Sequence, residues 1–241
     1  MFFARGQSGP VHWGFTDREG GVSAGEFASL NLGGHVGDDL EAVEANRSRV
    51  AGAMGVSRDH LLFLQQCHGN DVVVVDRPWD ASGAPHADGV VTATPGLALA
   101  ALVADCTPVL LADPAAGIVA AVHAGRPGMT SRIVDTAIAR MRGLGAREIG
   151  AVVGPSVCGR CYEVPAELRD AAAVVSPQSA AVSWTGTPAV DVASGVVAQL
   201  HANDVAVQWV AGCAREDERL FSYRRDGRTG RFAGVVVLEA S

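Results

Sequence analysis

The chain contains no lysine: all 19 of its basic side chains, among 241 residues, are arginines. Schiff-base chemistry such as pyridoxal-phosphate catalysis needs a lysine amine, and so does the phosphate loop of P-loop NTPases. Both classes are therefore excluded. Only 19% of the residues are charged, the formal net charge is −7, and no run of like charges occurs. We therefore expect neither a nucleic-acid partner nor binding to an anionic membrane.

The chain also lacks an uninterrupted stretch of about 20 apolar residues, the length that a membrane span requires. Its longest apolar region, residues 97–125, is interrupted by Asp105 and Asp113. The first nine residues, MFFARGQSG, show no basic leader followed by an apolar run. We predict a cytoplasmic protein without a membrane partner, and no feature of the sequence indicates an obligate protein partner.

Several standard catalytic motifs are missing as well. The sequence has no H-E-x-x-H, no G-x-S-x-G, no G-x-G-x-x-G and no H-x-E to accompany a P-C-x-x-C. Zincin proteases, α/β hydrolases, Rossmann dehydrogenases and enzymes of the cytidine-deaminase type are therefore excluded.

Cysteine is present in an odd number, at positions 67, 106, 158, 161 and 213. In an intracellular chain this favours free thiols, metal ligands or a nucleophile over a disulfide framework. Cys158 and Cys161 form one C-x-x-C within GPSVCGRCYEVP, but the sequence shows no second pair of the kind a structural zinc needs. A turn with two partly buried thiols, a redox pair and a metal site all remain open.

Alternating strand and helix patterns run through the whole chain. Apolar, β-branched runs predict strands at 72–75, 89–92, 97–104, 109–112, 117–122, 149–153, 205–210 and 234–238. Helical spacing predicts a helix from Leu40 to Met54 opened by Asp38, one over 131–142 after Ser131, one over 191–201 after Asp191, and one starting at Pro165. No linker or repeat divides these elements, so we predict a single α/β sandwich domain with a mixed sheet over residues 1–241.

Three polar residues lie at the ends of predicted strands: His68 in QQCHGNDV, Cys106 in VADCTPVLL and His123 in AAVHAGRPG. Two imidazoles and a thiolate are ligands that zinc prefers, and three protein ligands leave the fourth position open for catalysis. The spacing is not a known metal motif. Taken singly, His68 also fits a strand edge, Cys106 a small core residue and His123 a hydrogen-bonded turn.

Arg47 lies on the apolar stripe of its predicted helix, between Leu40 and Val50. An arginine there must be paired or functional. A buried ion pair and a fork that holds phosphate or another oxyanion are both compatible with the position. Near the C-terminus, FSYRRDGRTGR is predicted to form a solvated turn, with one side chain of the pair Arg224 and Arg225 pointing inward if the pair lies on a strand.

Seven motifs in order along the chain resemble the YfiH family, whose members carry the names polyphenol oxidase or laccase, purine nucleoside phosphorylase and peptidoglycan editing factor. The motifs are NLGGHVGDD with ANR, QQCHGNDV, ADGVVT, VADCTPVLLAD, AVHAG, GPSVCGRCYEVP and FSYRRDGRTGRFAG. The resemblance implies an α/β sandwich whose metal, normally zinc, is held by His68, Cys106 and His123 beneath a pocket. It further implies phosphorolysis of adenosine, inosine and methylthioadenosine and deamination of adenosine, with Arg47 as the candidate for binding phosphate.

The chain departs from the family pattern at two places. Cys67 replaces an aliphatic residue, and Arg126 with Pro127 replaces the Trp-Arg pair that usually follows His-Ala-Gly. Stacking or charge contacts made by that pair are therefore in doubt here, although Arg126 supplies a cation one position earlier.

Three other hypotheses remain open at this stage. A His₂Cys set also binds copper, with Met129 as a nearby axial candidate, but the trinuclear cluster of laccases uses His-x-His pairs, which this chain lacks. Cys106 with His68 or His123 as its base would instead give an amide hydrolase acting on peptidoglycan precursors. A purely structural metal in a non-enzymatic partner of cell-envelope assembly is the last hypothesis, against which three ligands rather than four argue.

Overall fold

The computed structural model describes residues 1–79 and 83–240. Its strands are β1 (Phe2–Ser8), β2 (Val11–Thr16), β3 (Leu61–Phe63), β4 (Val72–Val75), β5 (Gly89–Thr92), β6 (Ala98–Val103), β7 (Thr107–Asp113), β8 (Ile118–Ala124), β9 (Gly150–Val153), β10 (Ala180–Val182), β11 (Pro188–Val190), β12 (Ala206–Trp209) and β13 (Phe232–Leu238). Its helices are α1 (Leu40–Ala53), α2 (Arg126–Thr130), α3 (Ile133–Gly143), α4 (Ala166–Val175), α5 (Val192–His201) and α6 (Tyr223–Asp226). None of these helices is long and apolar enough to cross a membrane.

Two mixed sheets form the centre of the molecule. The first has the order β1-β2-β13-β6-β3 and the second β12-β9-β7-β8-β5-β4. Each sheet combines antiparallel pairs with parallel ones, namely β3 with β6 in the first, and β4 with β5 and β12 with β9 in the second. The prediction of an α/β sandwich with a mixed sheet is therefore confirmed, and β10 with β11 adds a small hairpin.

Alternation along the strands explains how both faces of each sheet are buried. Val236 of β13 packs between the two sheets, whereas Val235 and Val237 face the opposite side. On that outer side they meet a cluster that includes Val50 of α1. The second sheet uses its own outer face in the same way, because Val91 of β5 packs in the cluster that α2, α3 and α5 cover.

Two predicted N-caps are each wrong by one residue. The N-cap of α1 is Asp39, whose side chain accepts from the backbone of Glu41, while Asp38 instead accepts from the amide of Asn31. Ser131 does not cap α3, which begins at Ile133. It ends α2, the short helix that Arg126 and Pro127 begin, and its hydroxyl donates to the carbonyl of Pro127.

Arg224 and Arg225 lie on the short helix α6 rather than on a strand. Arg225 donates to the carbonyls of Ala214 and Leu220, and so ties α6 to the preceding loop. The helix capped by Asp191 is present as predicted. The helix predicted to start at Pro165 begins one residue later, at Ala166, with Pro165 as its N-cap.

The hairpin of β7 and β8 and the connection between the sheets position the candidate site. β6 belongs to the first sheet and β7 to the second, so the chain changes sheets at the turn that contains Cys106. The register of β7 and β8 places His123 opposite Pro108 and Ala124 opposite Thr107. The turn with Cys106 therefore lies beside the end of β8 that carries His123.

Candidate active site

The structure brings His68, Cys106 and His123 together. His68 lies in the loop between β3 and β4, Cys106 between β6 and β7, and His123 near the end of β8. One ligand atom from each lies within 4.8 Å of the other two. The Cys106 sulfur is 3.7 Å from Nε2 of His68, and the two imidazoles meet nearly edge-to-face with centroids 4.7 Å apart.

Asp88 organises two of these three residues, and its role escaped the sequence analysis. Its carboxylate lies 2.8 Å from Nδ1 of His123 and accepts from the backbone amides of Cys67, His68 and Gly69. Burial alone would raise the pKa of Asp88, but the hydrogen bonds from His123, Cys67 and Gly69 outweigh it and lower that pKa well below its usual range. An ionised Asp88 therefore fixes Nδ1 of His123 as a donor and leaves Nε2 for Cys106 or a metal.

Asp105 shapes the turn that carries Cys106. Its φ of 98° lies in the left-handed region, which non-glycine residues rarely adopt. Its buried carboxylate accepts from the hydroxyl of Ser222 and, at 2.7 Å, from the backbone amide of Arg224. These contacts stabilise an otherwise unfavourable conformation and place the thiol of Cys106 opposite the two histidines.

The charges of the site favour a thiolate at Cys106. Burial alone would raise the pKa of this thiol, but the positive charge of His123 and the hydrogen bonds of His123 and His68 outweigh it and lower the pKa to about 6. Burial alone would lower the pKa of His123, yet the charge of Cys106 and the hydrogen bond to Asp88 raise it to about 9. The thiolate is the form that binds metals and attacks carbonyl carbons.

A cavity of about 1290 Å³ opens above these residues. It is rich in arginines and aromatic rings, although the chain as a whole carries a formal charge of −7. The cationic and aromatic residues that line it are Arg47, Arg58, Arg126, Arg224, Arg231, Phe63, Trp79, Tyr162 and Tyr223. Positive charge concentrated in a cleft attracts anionic ligands, and aromatic rings give flat surfaces on which a base can stack.

Arg47 forms the ion pair that was one of the two interpretations its sequence position left open. Its guanidinium donates to the carbonyl of Leu32 at 3.0 Å and to Glu44 at 2.9 Å, and lies over the ring of Phe63. The side chain is only 12% exposed, yet it lines the cavity. Because Glu44 also pairs with Arg58, one carboxylate is shared by two arginines and leaves net positive charge on this wall.

Arg126 lines the cavity from the start of α2. Pro127 occupies the first turn of that helix, where the missing backbone N–H is tolerated. The cation that the sequence analysis expected from Arg126 therefore reaches the cavity. Cys67, the second departure, is exposed, and its thiol contacts Asp88 at 3.1 Å.

His68, Cys106 and His123, called the triad below, fit a single zinc ion. Two imidazoles and one thiolate converge, the metal-facing nitrogen of His123 is set by Asp88, and the cavity provides room for a fourth, exchangeable ligand. The same residues do not fit a trinuclear copper cluster. Within residues 1–79 and 83–240 no further group of converging ligands contains a histidine. Met129, which the sequence analysis named as a candidate axial ligand for copper, is fully buried, and its sulfur packs against Gly195 of α5.

The sequence analysis did not predict two further residues of the cavity, Tyr162 and Arg231. Tyr162 lies beneath the guanidinium of Arg224 at 4.5 Å, and Arg231 enters from the segment before β13. Their motifs, GPSVCGRCYEVP and FSYRRDGRTGR, were recognised, but only the fold shows that both reach the same cavity. The sequence signal for these cavity residues was the presence of isolated aromatic and basic side chains in segments that otherwise resemble turns.

Comparison with known proteins identifies the family and the fold of the chain. A purine nucleoside phosphorylase of Streptomyces griseus is 54% identical over 237 residues, which is 96% of each chain. The crystal structure of YlmD from Geobacillus stearothermophilus superposes with a TM-score of 0.88 at 29% identity and covers 99% of both chains. That of YfiH from Bacillus licheniformis gives a TM-score of 0.86 at 28% identity, covering 95% of this chain and 93% of the other. Residues 12–239 match the family described as multi-copper polyphenol oxidoreductase laccase, so the chain belongs to this YfiH-like family.

Proposed function

We propose that the protein is a zinc-dependent purine nucleoside phosphorylase that cleaves adenosine, inosine and methylthioadenosine. The observation that carries the proposal is the position of the His68–Cys106–His123 group in a cavity lined by arginines and aromatic rings. A nucleoside and a phosphate ion together need such a combination of flat apolar surface and positive charge. The name of the Streptomyces griseus relative supports the same assignment.

In this proposal each part of the cavity has a separate task. His68, Cys106 and His123 would hold the zinc ion, which would supply Lewis-acid chemistry at this end of the cavity. Arg47 and its neighbouring arginines bind phosphate and neutralise its charge, which lets a phosphate oxygen approach C1′ of the ribose. The C1′–N9 bond of the nucleoside breaks, the base takes a proton and leaves, and ribose 1-phosphate remains.

The same cavity supports adenosine deamination as a second reaction. Water replaces phosphate as the nucleophile and attacks C6 of adenine, so that ammonia leaves and inosine forms. Asp88 hydrogen-bonds to Nδ1 of His123 and so holds this residue in position for the reaction.

Product analysis separates these reactions. The purified protein is incubated with adenosine with and without inorganic phosphate, and adenine, inosine and hypoxanthine are quantified by chromatography. We expect adenine release only with phosphate and inosine formation in both conditions. The Cys106→Ala variant is expected to lose the zinc ion held by His68, Cys106 and His123, and with it both reactions. If Cys106→Ala retained wild-type phosphorolysis, the metal group would not be catalytic and the proposal would be wrong.

One observation favours a second candidate, a cysteine hydrolase. Asp88, His123 and Cys106 form a chain of contacts in which a carboxylate orients an imidazole beside a thiolate, the arrangement of a Cys-His-Asp nucleophile. Hydrolysis of an amide or a peptidoglycan precursor by Asp88, His123 and Cys106 would survive a strong chelator. Zinc-dependent phosphorolysis would stop when the chelator is added and return with zinc, so the same assay distinguishes the candidates. A copper oxidase would instead show an intense visible absorption band after copper loading.

A further inference from the structure

A second group of metal-binding side chains lies outside the triad. Cys158 and Cys161 come from the loop after β9, and Cys213 and Glu216 from the loop after β12. One ligand atom from each of the four lies within 4.8 Å of the others. None of these four side chains lines the cavity described above.

The two loops present their ligands in the same way. The amide of Cys161 donates to the carbonyl of Cys158 at 2.9 Å, and the amide of Glu216 donates to the carbonyl of Cys213 at 3.1 Å. C-x-x-C and C-x-x-E therefore form matching tight turns. The amide of Cys158 also points at the sulfur of Cys213, 3.4 Å away.

Backbone pairing holds these two turns side by side. Ser156 and Cys213 form a parallel β-bridge, in which the amide of Ser156 donates to Gly212 and the amide of Ala214 donates to Ser156. The turns are thus brought together by main-chain contacts that do not depend on the four side chains. This is the arrangement expected of a preformed site, because the scaffold positions the ligands before a metal binds.

The fourth ligand is oriented by a neighbour of its own. The carboxylate of Glu216 accepts from the indole nitrogen of Trp184 at 3.1 Å and from the thiol of Cys161 at 3.1 Å. Carboxylates that bind metals are commonly oriented by a hydrogen bond from a neighbouring group, and Trp184 would orient Glu216 toward the three sulfurs in this way. Trp184 is itself 66% exposed, and its hydrogen bond to Glu216 restrains the rotation of both side chains.

We propose that Cys158, Cys161, Cys213 and Glu216 bind a structural zinc ion. In a tetrahedral site with Zn–S bonds of about 2.3 Å, neighbouring sulfurs are about 3.8 Å apart, which small side-chain rotations achieve from the observed separations. Three soft thiolates select zinc over magnesium or calcium. Four protein ligands leave no open position, which distinguishes this site from the triad and makes its role structural.

The zinc ion would support one wall of the cavity. Val157 and Tyr162, on either side of the C-x-x-C turn, both line it, and the guanidinium of Arg224 lies over Tyr162 and donates to the carbonyl of Glu163. Crosslinking this segment to the loop after β12 therefore restricts the wall that presents Arg224. The sequence could not show the site, because Cys213 and Glu216 lie more than 50 residues after the C-x-x-C.

Metal analysis of the full-length Cys106→Ala variant tests the proposal, since this change removes a ligand of the triad and leaves the second group intact. We expect about one zinc per chain to remain in Cys106→Ala, and cobalt(II) added to the metal-stripped variant to give tetrahedral visible bands with thiolate-to-cobalt charge transfer. Adding Cys158→Ser and Cys213→Ser to this variant should abolish both signals. In the same background, Glu216→Gln should weaken binding about tenfold or more, and Glu218→Gln, an exposed acid two residues away, should not.

Two results would overturn the proposal. The first is a folded, fully reduced Cys106→Ala protein that binds neither zinc nor cobalt. The second is a native disulfide between any two of the three cysteines, seen by mass spectrometry of peptides prepared under non-reducing conditions. If the double cysteine variant fails to fold, Glu216→Gln against Glu218→Gln still decides the outcome. Because none of these measurements uses nucleoside turnover, the result is independent of the proposed phosphorylase activity.

Discussion

The carboxylate of Asp88 lies 2.8 Å from Nδ1 of His123, and both side chains are almost completely buried. The same carboxylate accepts from the backbone of the loop that carries His68. One acidic residue therefore links two candidate metal ligands that lie 55 positions apart in the sequence. Its effect on the site is indirect, since it acts by setting the orientation of His123 and the path of the His68 loop.

Asp88→Asn is expected to weaken zinc binding by about 10- to 100-fold, because an amide cannot accept all the hydrogen bonds that the carboxylate accepts. Zinc affinity is measured by competition with a chromophoric chelator, and activity is then measured at saturating zinc. A positioning role predicts that excess zinc restores much of the activity. Asp76→Asn, which changes an exposed acid directly after β4, is the control. Unchanged affinity in Asp88→Asn would show that this carboxylate does not orient the ligand.

Arg47→Gln is expected to raise the KM for phosphate about 10- to 100-fold, because a charge-assisted contact to the oxyanion is lost. Arg49→Gln, on the exposed side of the same helix, should leave this KM unchanged. Arg47 also holds the carbonyl of Leu32, so urea unfolding of both variants is measured alongside the kinetics. A higher KM for nucleoside with an unchanged KM for phosphate would place the phosphate elsewhere in the cavity.

Much of the fold follows from local patterns. The apolar runs that predicted β4, β5 and β13 are short and bounded by turn residues, and the structure contains each of these strands. The strand ends also led directly to His68, Cys106 and His123. What the pattern could not show is that β6 and β7 belong to different sheets, because neither strand's own sequence records which neighbour it will pair with.

Three of the errors and omissions come from contacts that are not visible within the local pattern. Asp38 and Asp39 are equally good caps by sequence, and the choice between them is decided by Asn31, whose amide binds Asp38. Asp88 has no local signature because its partner His123 is 35 positions away. Cys158 likewise has no visible second pair until the fold places Cys213 beside it.

Asp113 should make stability depend on pH. Its two carboxylate oxygens accept from four backbone amides, those of Ala115, Ala116, Arg147 and Glu148. Burial alone would raise the pKa of Asp113, but these hydrogen bonds outweigh it and lower that pKa. A lowered folded-state pKa means that the stabilisation is complete above the unfolded pKa of about 3.9 and is lost as the pH falls through the folded value.

Asp113→Asn is therefore expected to lower the free energy of unfolding by about 1–3 kcal/mol at neutral pH, because an amide nitrogen cannot accept two of the four bonds. Urea unfolding of both proteins, each stripped of metal, is compared at neutral pH and below the unfolded pKa of Asp113. The difference between them should shrink in acid. A difference that is constant over this range would mean that the carboxylate is not ionised in the native state.

Close packing around the triad gives a steric test of the metal site. A Cβ placed on Gly125 would lie 2.8 Å from Cδ2 of His68 and 3.2 Å from the sulfur of Cys106. The backbone of Gly125 has φ −78° and ψ 176°, which alanine adopts readily, so Gly125→Ala introduces a collision without backbone strain. We expect His68 to be displaced, zinc affinity to fall by about tenfold or more, and stability to fall by about 1–3 kcal/mol.

Gly143→Ala is the matched control, because no atom lies within 4 Å of a Cβ at that position near the end of α3. It should leave zinc binding unchanged and stabilise the protein by about 0.5–1 kcal/mol, since alanine has the higher helix propensity. Zinc content and cobalt(II) spectra of both variants provide the measurement. If Gly125→Ala binds zinc as tightly as the wild type, His68 has room to move away and still coordinate, or it is not a ligand. His68→Ala then separates these two explanations, because only a true ligand would lower zinc affinity when it is removed.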